Sequence, residues 1–285
     1  MNTSLLTSPL VDPNWLAAHL HDPDLVVLDA SWHMPAANRD GKQEWRRQRI
    51  PGARFFDFDR QIKDQDNPLP HMLPDEASFS RALSALGVSN DRHIVIYDSS
   101  GIFSAPRAWW MFRAMGHDQV AVLDGGLPAW QTQGYALECT GPTPVIPGHF
   151  VARRQPRWVA DAEQVAAALI DPRARVLDAR SRERFSGEAA DPRPGVRPGH
   201  MPGALCLPFG ELLAEGRLLP KAQLEQKLAP LLREDQRLLC SCGSGVTAAI
   251  LALAATLIGH PDVAVYDGSW AEWGGSATLP VQQDS

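Results

Sequence analysis

Short, nearly continuous apolar runs alternate along this chain with stretches whose apolar positions recur every three to four residues. Leu25-Val-Val-Leu-Asp29-Ala30, His93-Ile-Val-Ile-Tyr-Asp98 and Val120-Ala-Val-Leu-Asp124 are β-rich runs that reach a carboxylate. Their unbroken apolarity predicts strands buried on both faces, as in a parallel sheet, rather than half-exposed hairpin strands. The 3.6-residue spacing predicts helices over 12–20, 78–86 and 106–115, the first capped by Asp12 or Asn14. Ile50-Pro-Gly-Ala-Arg54 reads as a turn feeding a further strand. Val120 to Asp124 is followed by a Gly-Gly turn closed by Pro128-Ala-Trp130. Strands alternating with helices in this way predict an α/β fold in which helices cover both faces of a mainly parallel sheet, with right-handed crossovers.

The second half repeats this plan. A helix is expected over 158–170, and Ala174-Arg-Val-Leu-Asp178-Ala179 matches Val26 to Ala30. Gly199 to Ala204 matches Arg49 to Ala53, Leu238 to Gly245 matches Ile94 to Gly101, and Val263 to Trp273 matches Val120 to Trp130. Four blocks in one order, at offsets between 143 (Val120 to Val263) and 151 (Ala53 to Ala204), mark a duplication. The expected organisation is therefore a first domain over 1–138, a linker over 139–157 and a second domain over 158–285. The linker is read from Pro142, Pro144, Pro147, Gly148 and Pro156.

The duplicated blocks set Asp98 opposite Cys242. Cys242 opens a loop, Cys242-Gly-Ser-Gly-Val-Thr247, between an apolar strand and an Ala- and Leu-rich helix expected to start near Val246 and Thr247. Gly243 and Gly245 free the backbone for conformations that a Cβ forbids, so successive N–H groups can turn toward one point. The helix adds the positive end of its dipole there. A thiol so placed is expected to ionise below the free value of about 8.5, and the thiolate is the nucleophile. Cys240, within the apolar run, reads as buried filler.

Composition narrows the function. Of 285 residues, 44% are hydrophobic and 21% charged, and the formal net charge is −6, which disfavours a nucleic-acid partner that would need a basic face. No apolar run approaches the roughly 18 residues of a membrane span. The first ten residues lack the basic start and apolar core of a secretory leader and the arginines of a mitochondrial presequence, so a cytoplasmic protein is expected. The four cysteines form no Cys-x-x-Cys, and no histidine pair is placed to complete a zinc site with them. Most of the nine tryptophans read as core or domain-interface anchors. A cysteine phosphatase of related design needs an arginine six positions after its cysteine. Ala248 stands there.

These motifs resemble the rhodanese-type sulfurtransferases over nearly the whole chain. Ile50-Pro-Gly-Ala53 and His200-Met-Pro-Gly-Ala204 are similar to the family's first signature, and Tyr266-Asp-Gly-Ser-Trp-Ala-Glu-Trp273 to its last. Two tandem rhodanese-like domains with a cysteine only in the second loop match the two-domain members, in which Asp98 would mark the inactive domain. The loop Cys242 to Thr247 is similar to that of 3-mercaptopyruvate sulfurtransferases, whereas thiosulfate-preferring relatives carry Arg-Lys at Gly243-Ser244. A physical reason stands behind the contrast. Thiosulfate is a dianion suited to cations beside the thiolate, while mercaptopyruvate carries one carboxylate that needs a positive clamp further off.

The resemblance implies a sulfurtransferase that takes sulfur from a small-molecule donor onto Cys242 as a persulfide, with the outer sulfur held by the loop from Gly243 through Gly245, Val246 and Thr247. Thioredoxin, a low-molecular-weight thiol or cyanide would then accept the sulfur, with no metal or organic cofactor. Among Arg180, Arg182, Arg184, Arg193 and Arg197, it implies that Arg184 and Arg193 clamp the donor carboxylate, a task suited to arginine's planar fork. It further implies that Ser244, His71 and Asp59 form a serine–histidine–aspartate array, with Asp57 as an alternative to Asp59. Two other readings are a thiosulfate sulfurtransferase and a non-catalytic rhodanese-like binding module.

Overall fold

Each half of the chain builds a five-stranded sheet, and every recorded pairing within these sheets is parallel. The computed structural model describes residues 5–141 and 144–284; Pro142 of the expected linker and the first four residues lie outside them. The first sheet holds β1 (Leu10–Val11), β2 (Leu25–Asp29), β3 (Arg54–Phe55), β4 (His93–Tyr97) and β5 (Val120–Leu123) in the order β1-β5-β4-β2-β3. The second holds β6 (Val159–Ala160), β7 (Ala174–Asp178), β8 (Leu205–Cys206), β11 (Arg237–Ser241) and β12 (Val263–Tyr266) in the order β6-β12-β11-β7-β8. The strand order is the same in both. β9 (Leu213–Ala214) and β10 (Arg217–Leu218) are two further short strands.

The helices of the first half are α1 (Pro13–His19), α2 (Gly41–Arg47), α3 (Glu76–Ala85), α4 (Ala105–Ala114) and α5 (Gly126–Thr132). Those of the second are α6 (Ala162–Ala168), α7 (Arg182–Ser186), α8 (Lys221–Leu228), α9 (Ala248–Ile258) and α10 (Ser269–Trp273). Asp12 caps α1, accepting from the Trp15 N–H at 2.9 Å. The helix expected over 158–170 is shorter. Val159 and Ala160 pair with Val265 and Tyr266 as the edge strand β6, and Asp161 then starts α6 through a capping box with Gln164. α3 begins at Glu76, capped by Asp75, two residues before the expected Ser78, and α9 begins at Ala248 with Thr247 as its N-cap.

By contact, the described residues divide into two units: 5–65, 73–141, 144–155 and 215–218 in one, and 66–72, 156–214 and 219–284 in the other. In the first unit, Val27, Val95, Tyr97, Ala121 and Leu123 of the sheet pack with Leu16 of α1 and Trp130 of α5. In the second, Val176, Leu239, Ala264 and Tyr266 pack with Val165, Phe185, Trp270 and Trp273. Every residue of α9 from Ala248 to Ala255 is buried, which explains a helix apolar on all sides. Trp109, Trp110, Trp130, Trp270 and Trp273 are fully buried. Among the described residues, no helix is long and apolar enough to cross a membrane.

The two units treat their matching aspartates differently. Asp178 receives both Nε and Nη2 of Arg180, at 2.9 and 2.8 Å, and Arg180 lies over the Trp270 ring at 4.2 Å. Asp29 has Ser31 at the arginine's position, whose N–H donates at 2.9 Å. Burial outweighs this and the other bonds to Asp29 and pushes its carboxyl up to about 7. A carboxyl that holds its proton more tightly folded than unfolded favours the fold at low pH. That contribution is lost as pH rises from about 4, the unfolded value, to about 7. Asp29→Asn is expected to flatten this limb, by at most about 4 kcal/mol. Urea unfolding of both proteins at pH 5 and pH 7.5 checks it; parallel pH profiles would contradict the assignment.

Candidate active site

β11 is the middle strand of the second sheet, and its carboxyl end delivers Cys242 into the turn before α9. Loops at this end of an open parallel sheet are where α/β proteins place ligands. Cys242 is buried, with 2% of its surface exposed. Its N–H donates to Ser269 Oγ at 3.2 Å, and Ser269 Oγ in turn donates to the Tyr266 carbonyl at 2.8 Å. The carbonyls of Cys242 and Gly243 accept the N–H groups of Trp270 and Ala271, both at 2.9 Å. In a trans peptide the N–H points opposite to the C=O, so the N–H groups of Gly243 and Ser244 face away from α10. The first turn of α10 thus sets the orientation of the loop.

The two glycines serve different needs. Gly245 has φ +74°, the left-handed region that suits glycine. Gly243 does not, which corrects the expectation that both relieve backbone torsion. Its need is space: a Cβ there would sit 3.1 Å from Arg193 Nη1 and 3.2 Å from Arg184 Nη2. Both guanidinium groups therefore rest against the residue that follows the cysteine. Arg193 Nη2 donates to Ser244 Oγ at 2.9 Å. Val246 is buried and Thr247, half-buried, occupies the N-cap of α9 without a side-chain capping bond.

Asp191 holds the two arginines together. Arg184 Nη2 donates to Asp191 Oδ2 at 2.6 Å, and Arg193 donates to Asp191 Oδ1 from its backbone N–H at 3.0 Å and its Nη1 at 3.4 Å. The Asp191 side chain is 2% exposed, while those of Arg184 and Arg193 are 23% and 25% exposed. Among the described residues, Arg184 Nε has no hydrogen-bond partner. The remaining arginines are otherwise employed. Arg180 is buried on Asp178, Arg182 pairs with Glu211 at 2.5 Å on the surface, and Arg197 donates to the carbonyls of Gly274, Trp273, Ser276 and Leu279.

The other cysteines lie elsewhere. Cys240 is wholly buried in β11, where burial pushes its thiol up. The half-buried Cys206 thiol is pushed up to about 12, chiefly by burial and then by the Asp178 charge. Cys139 is exposed, and all four are free thiols. His71 is buried with φ +64°, on the segment 66–72 that belongs to the same unit as Cys242 and Ser244. Asp59 belongs to the other unit; it is half-buried, and burial and the Asp57 charge raise its carboxyl. Asp57 accepts the Arg60 N–H at 3.0 Å and so caps a turn.

The matching loop of the first unit shows what this backbone does around an anion. Asp98 Oδ1 accepts the Ser100 N–H, and its Oδ2 accepts those of Phe103, Ser104 and Ala105, each at 2.9 Å. The side chain at the cysteine's position thus fills its own ring of N–H donors. Asp191 and Ser269 escape a reading of the sequence as functional residues. Asp191 had one local signal, an Asp-Pro-Arg turn in which a carboxylate accepts the N–H two residues on. Ser269 had none, because its partner lies 27 residues away.

Comparisons with known proteins show the family to which this fold belongs. Residues 12–133 and 161–276 each match the rhodanese-like domain. The 3-mercaptopyruvate sulfurtransferase of Escherichia coli K12 is 42% identical over 278 residues, covering 97% of this chain and 98% of the relative. An Arabidopsis thaliana protein named mitochondrial thiosulfate/3-mercaptopyruvate sulfurtransferase 1 is 42% identical, covering 98% of this chain and 80% of that protein. The crystal structure of the Escherichia coli 3-mercaptopyruvate enzyme superposes with a TM-score of 0.84 at 39% identity, over 93% of this chain and 99% of that one. With two such domains in tandem and this extent of likeness, the chain belongs to the rhodanese family.

Proposed function

We infer that this protein is a 3-mercaptopyruvate sulfurtransferase that works through a persulfide on Cys242. The observation that carries the donor choice is the approach of Arg184 and Arg193 to Gly243, beside the cysteine, with no cation in the loop itself. The reaction is a double displacement. The Cys242 thiolate attacks the sulfur of mercaptopyruvate; an S–S bond forms and the C–S bond breaks. Its electron pair passes to the methylene carbon, and pyruvate leaves as the enolate, which then takes a proton. The two guanidinium groups bind the donor carboxylate, with the free Arg184 Nε as one available donor. Loop N–H groups from Gly243 to Thr247 hold the outer sulfur, as their counterparts hold Asp98. An acceptor thiolate or cyanide attacks that sulfur, and Cys242 leaves as the thiolate.

We assign the acceptor role to thioredoxin or a small thiol, and the cytoplasm as the site of action, where four free thiols suit a reducing environment. The domains run over 1–138 and 158–285, with only the second carrying the cysteine chemistry. Ser244 and His71, which belong to the same unit, relay a proton to the enolate in this reading, and a part for Asp59 rests on the family resemblance alone. The burial of His71 and its left-handed backbone support it, since such strain collects at functional sites.

Intact-protein mass spectrometry after exposure to each donor alone, with peptide mapping, tests the nucleophile and the donor class. One added sulfur on Cys242 from mercaptopyruvate and little from thiosulfate is expected. Loading from thiosulfate instead would overturn the donor assignment and favour the second reading, which the Arabidopsis relative's name keeps open. No loading from either would leave a binding module. For the relay, Ser244→Ala and His71→Asn should slow loading from mercaptopyruvate more than residual loading from thiosulfate. Sulfite leaves thiosulfate without needing a proton, so equal slowing would remove the relay.

A further inference from the structure

The clamp contains a third charged group. Arg184 and Arg193 both donate to Asp191, whose carboxylate is nearly inaccessible and faces the two guanidinium groups. Two cations and one anion leave the group with a charge of +1. Mercaptopyruvate presents one carboxylate to it, whereas thiosulfate would bring two negative charges. A buried charge is screened less by salt than an exposed one, so the carboxylate subtracts from the attraction for any anion bound to these arginines. The subtraction is larger for a dianion than for a monoanion.

We propose that Asp191 selects the donor by charge: it neutralises half of the arginine clamp, so that the site suits a monocarboxylate and disfavours a dianionic sulfur donor. This rests on the reading of Arg184 and Arg193 as the donor clamp. Gly243 and Ser244 supply no charge of their own, and the cations that rest against them are Arg184 and Arg193, both held by Asp191. Asp191 does not touch the reacting sulfur. It is a positioning and specificity residue, holding both forks against Gly243 while limiting their combined charge.

The test is steady-state kinetics with each donor for the full-length protein and for Asp191→Asn, which keeps the shape of the side chain and an oxygen for the Arg193 N–H. The charge of the clamp then rises to +2. The ratio of kcat/KM for thiosulfate to kcat/KM for mercaptopyruvate is expected to rise about tenfold, mainly through KM for thiosulfate. Asp191→Glu, which keeps the charge, should hold the ratio within about threefold of the parent. A ratio unchanged in Asp191→Asn, with both donors weakened alike, would mean that the carboxylate only positions the arginines and would overturn the proposal. Asp191→Ser carries the same charge change should the asparagine variant not fold. Failure of the parent itself to load Cys242 from mercaptopyruvate would instead overturn the donor assignment.

Discussion

Cys242→Ser is expected to abolish sulfur transfer from mercaptopyruvate and from thiosulfate alike, a loss of at least about 10⁴-fold in kcat/KM. The substitution exchanges one atom in a site held by backbone bonds that do not involve the sulfur. The Cys242 N–H still reaches Ser269 Oγ, and its carbonyl still accepts the Trp270 N–H. The fold and the arginine clamp should therefore survive, and the melting temperature should stay close to that of the parent. A hydroxyl is far less acidic than a thiol and cannot hold sulfur as a persulfide, so the first half-reaction has no product to form. The other thiols offer no replacement. Burial keeps Cys240 protonated, and burial also pushes the Cys206 thiol up to about 12. Turnover measurements with both donors, accompanied by circular dichroism, check this result. Retained transfer in a folded variant would remove Cys242 from the mechanism.

The second large effect concerns the clamp. Arg193→Ala is expected to lower kcat/KM for mercaptopyruvate by about 10²- to 10³-fold, the range for losing a preorganised, charge-assisted donor in a water-poor site. Most of the loss should appear in KM, because the interaction is with the carboxylate that binds rather than with the sulfur that reacts. Discharge of a preformed persulfide to cyanide should change far less, since that half-reaction has no donor carboxylate to hold. Lysine at this position should restore only part of the activity: it supplies the charge but not the fork. Arg184→Ala should behave similarly, with the added loss of the unpaired Nε. Steady-state kinetics with the donor, and single-turnover discharge with cyanide, separate the two half-reactions. Unchanged donor kinetics in either variant would remove that arginine from the clamp.

Cys242 was legible because its local context is enough: an apolar run, then glycines, then an Ala-rich helix. Arg184 and Arg193 became candidates through a family resemblance, since five arginines within 18 residues look alike in the sequence. The structure distinguishes them by partner. Arg180 and Arg197 are consumed by a carboxylate and by carbonyls, Arg182 faces Glu211, and only Arg184 and Arg193 lie against Gly243. The role of Gly243 is hidden in the sequence for a related reason. Torsional need is a property of the residue itself, whereas crowding by two distant side chains is not.

By itself, the sequence determined the α/β alternation, the duplication and the position of the reactive loop, because strand and helix periods and turn residues act over a few neighbours. The tertiary structure alone decided the two-residue edge strands β1 and β6, which become strands only by pairing with β5 and β12. It also decided the membership of residues 66–72 in the second unit, the Ser269 support under Cys242 and the Asp191 bridge between the arginines. Each of these depends on groups brought together by the folded chain. A hydrogen bond or an ion pair has no strength until its partner is within about 3 Å, and no local pattern states which partner that will be.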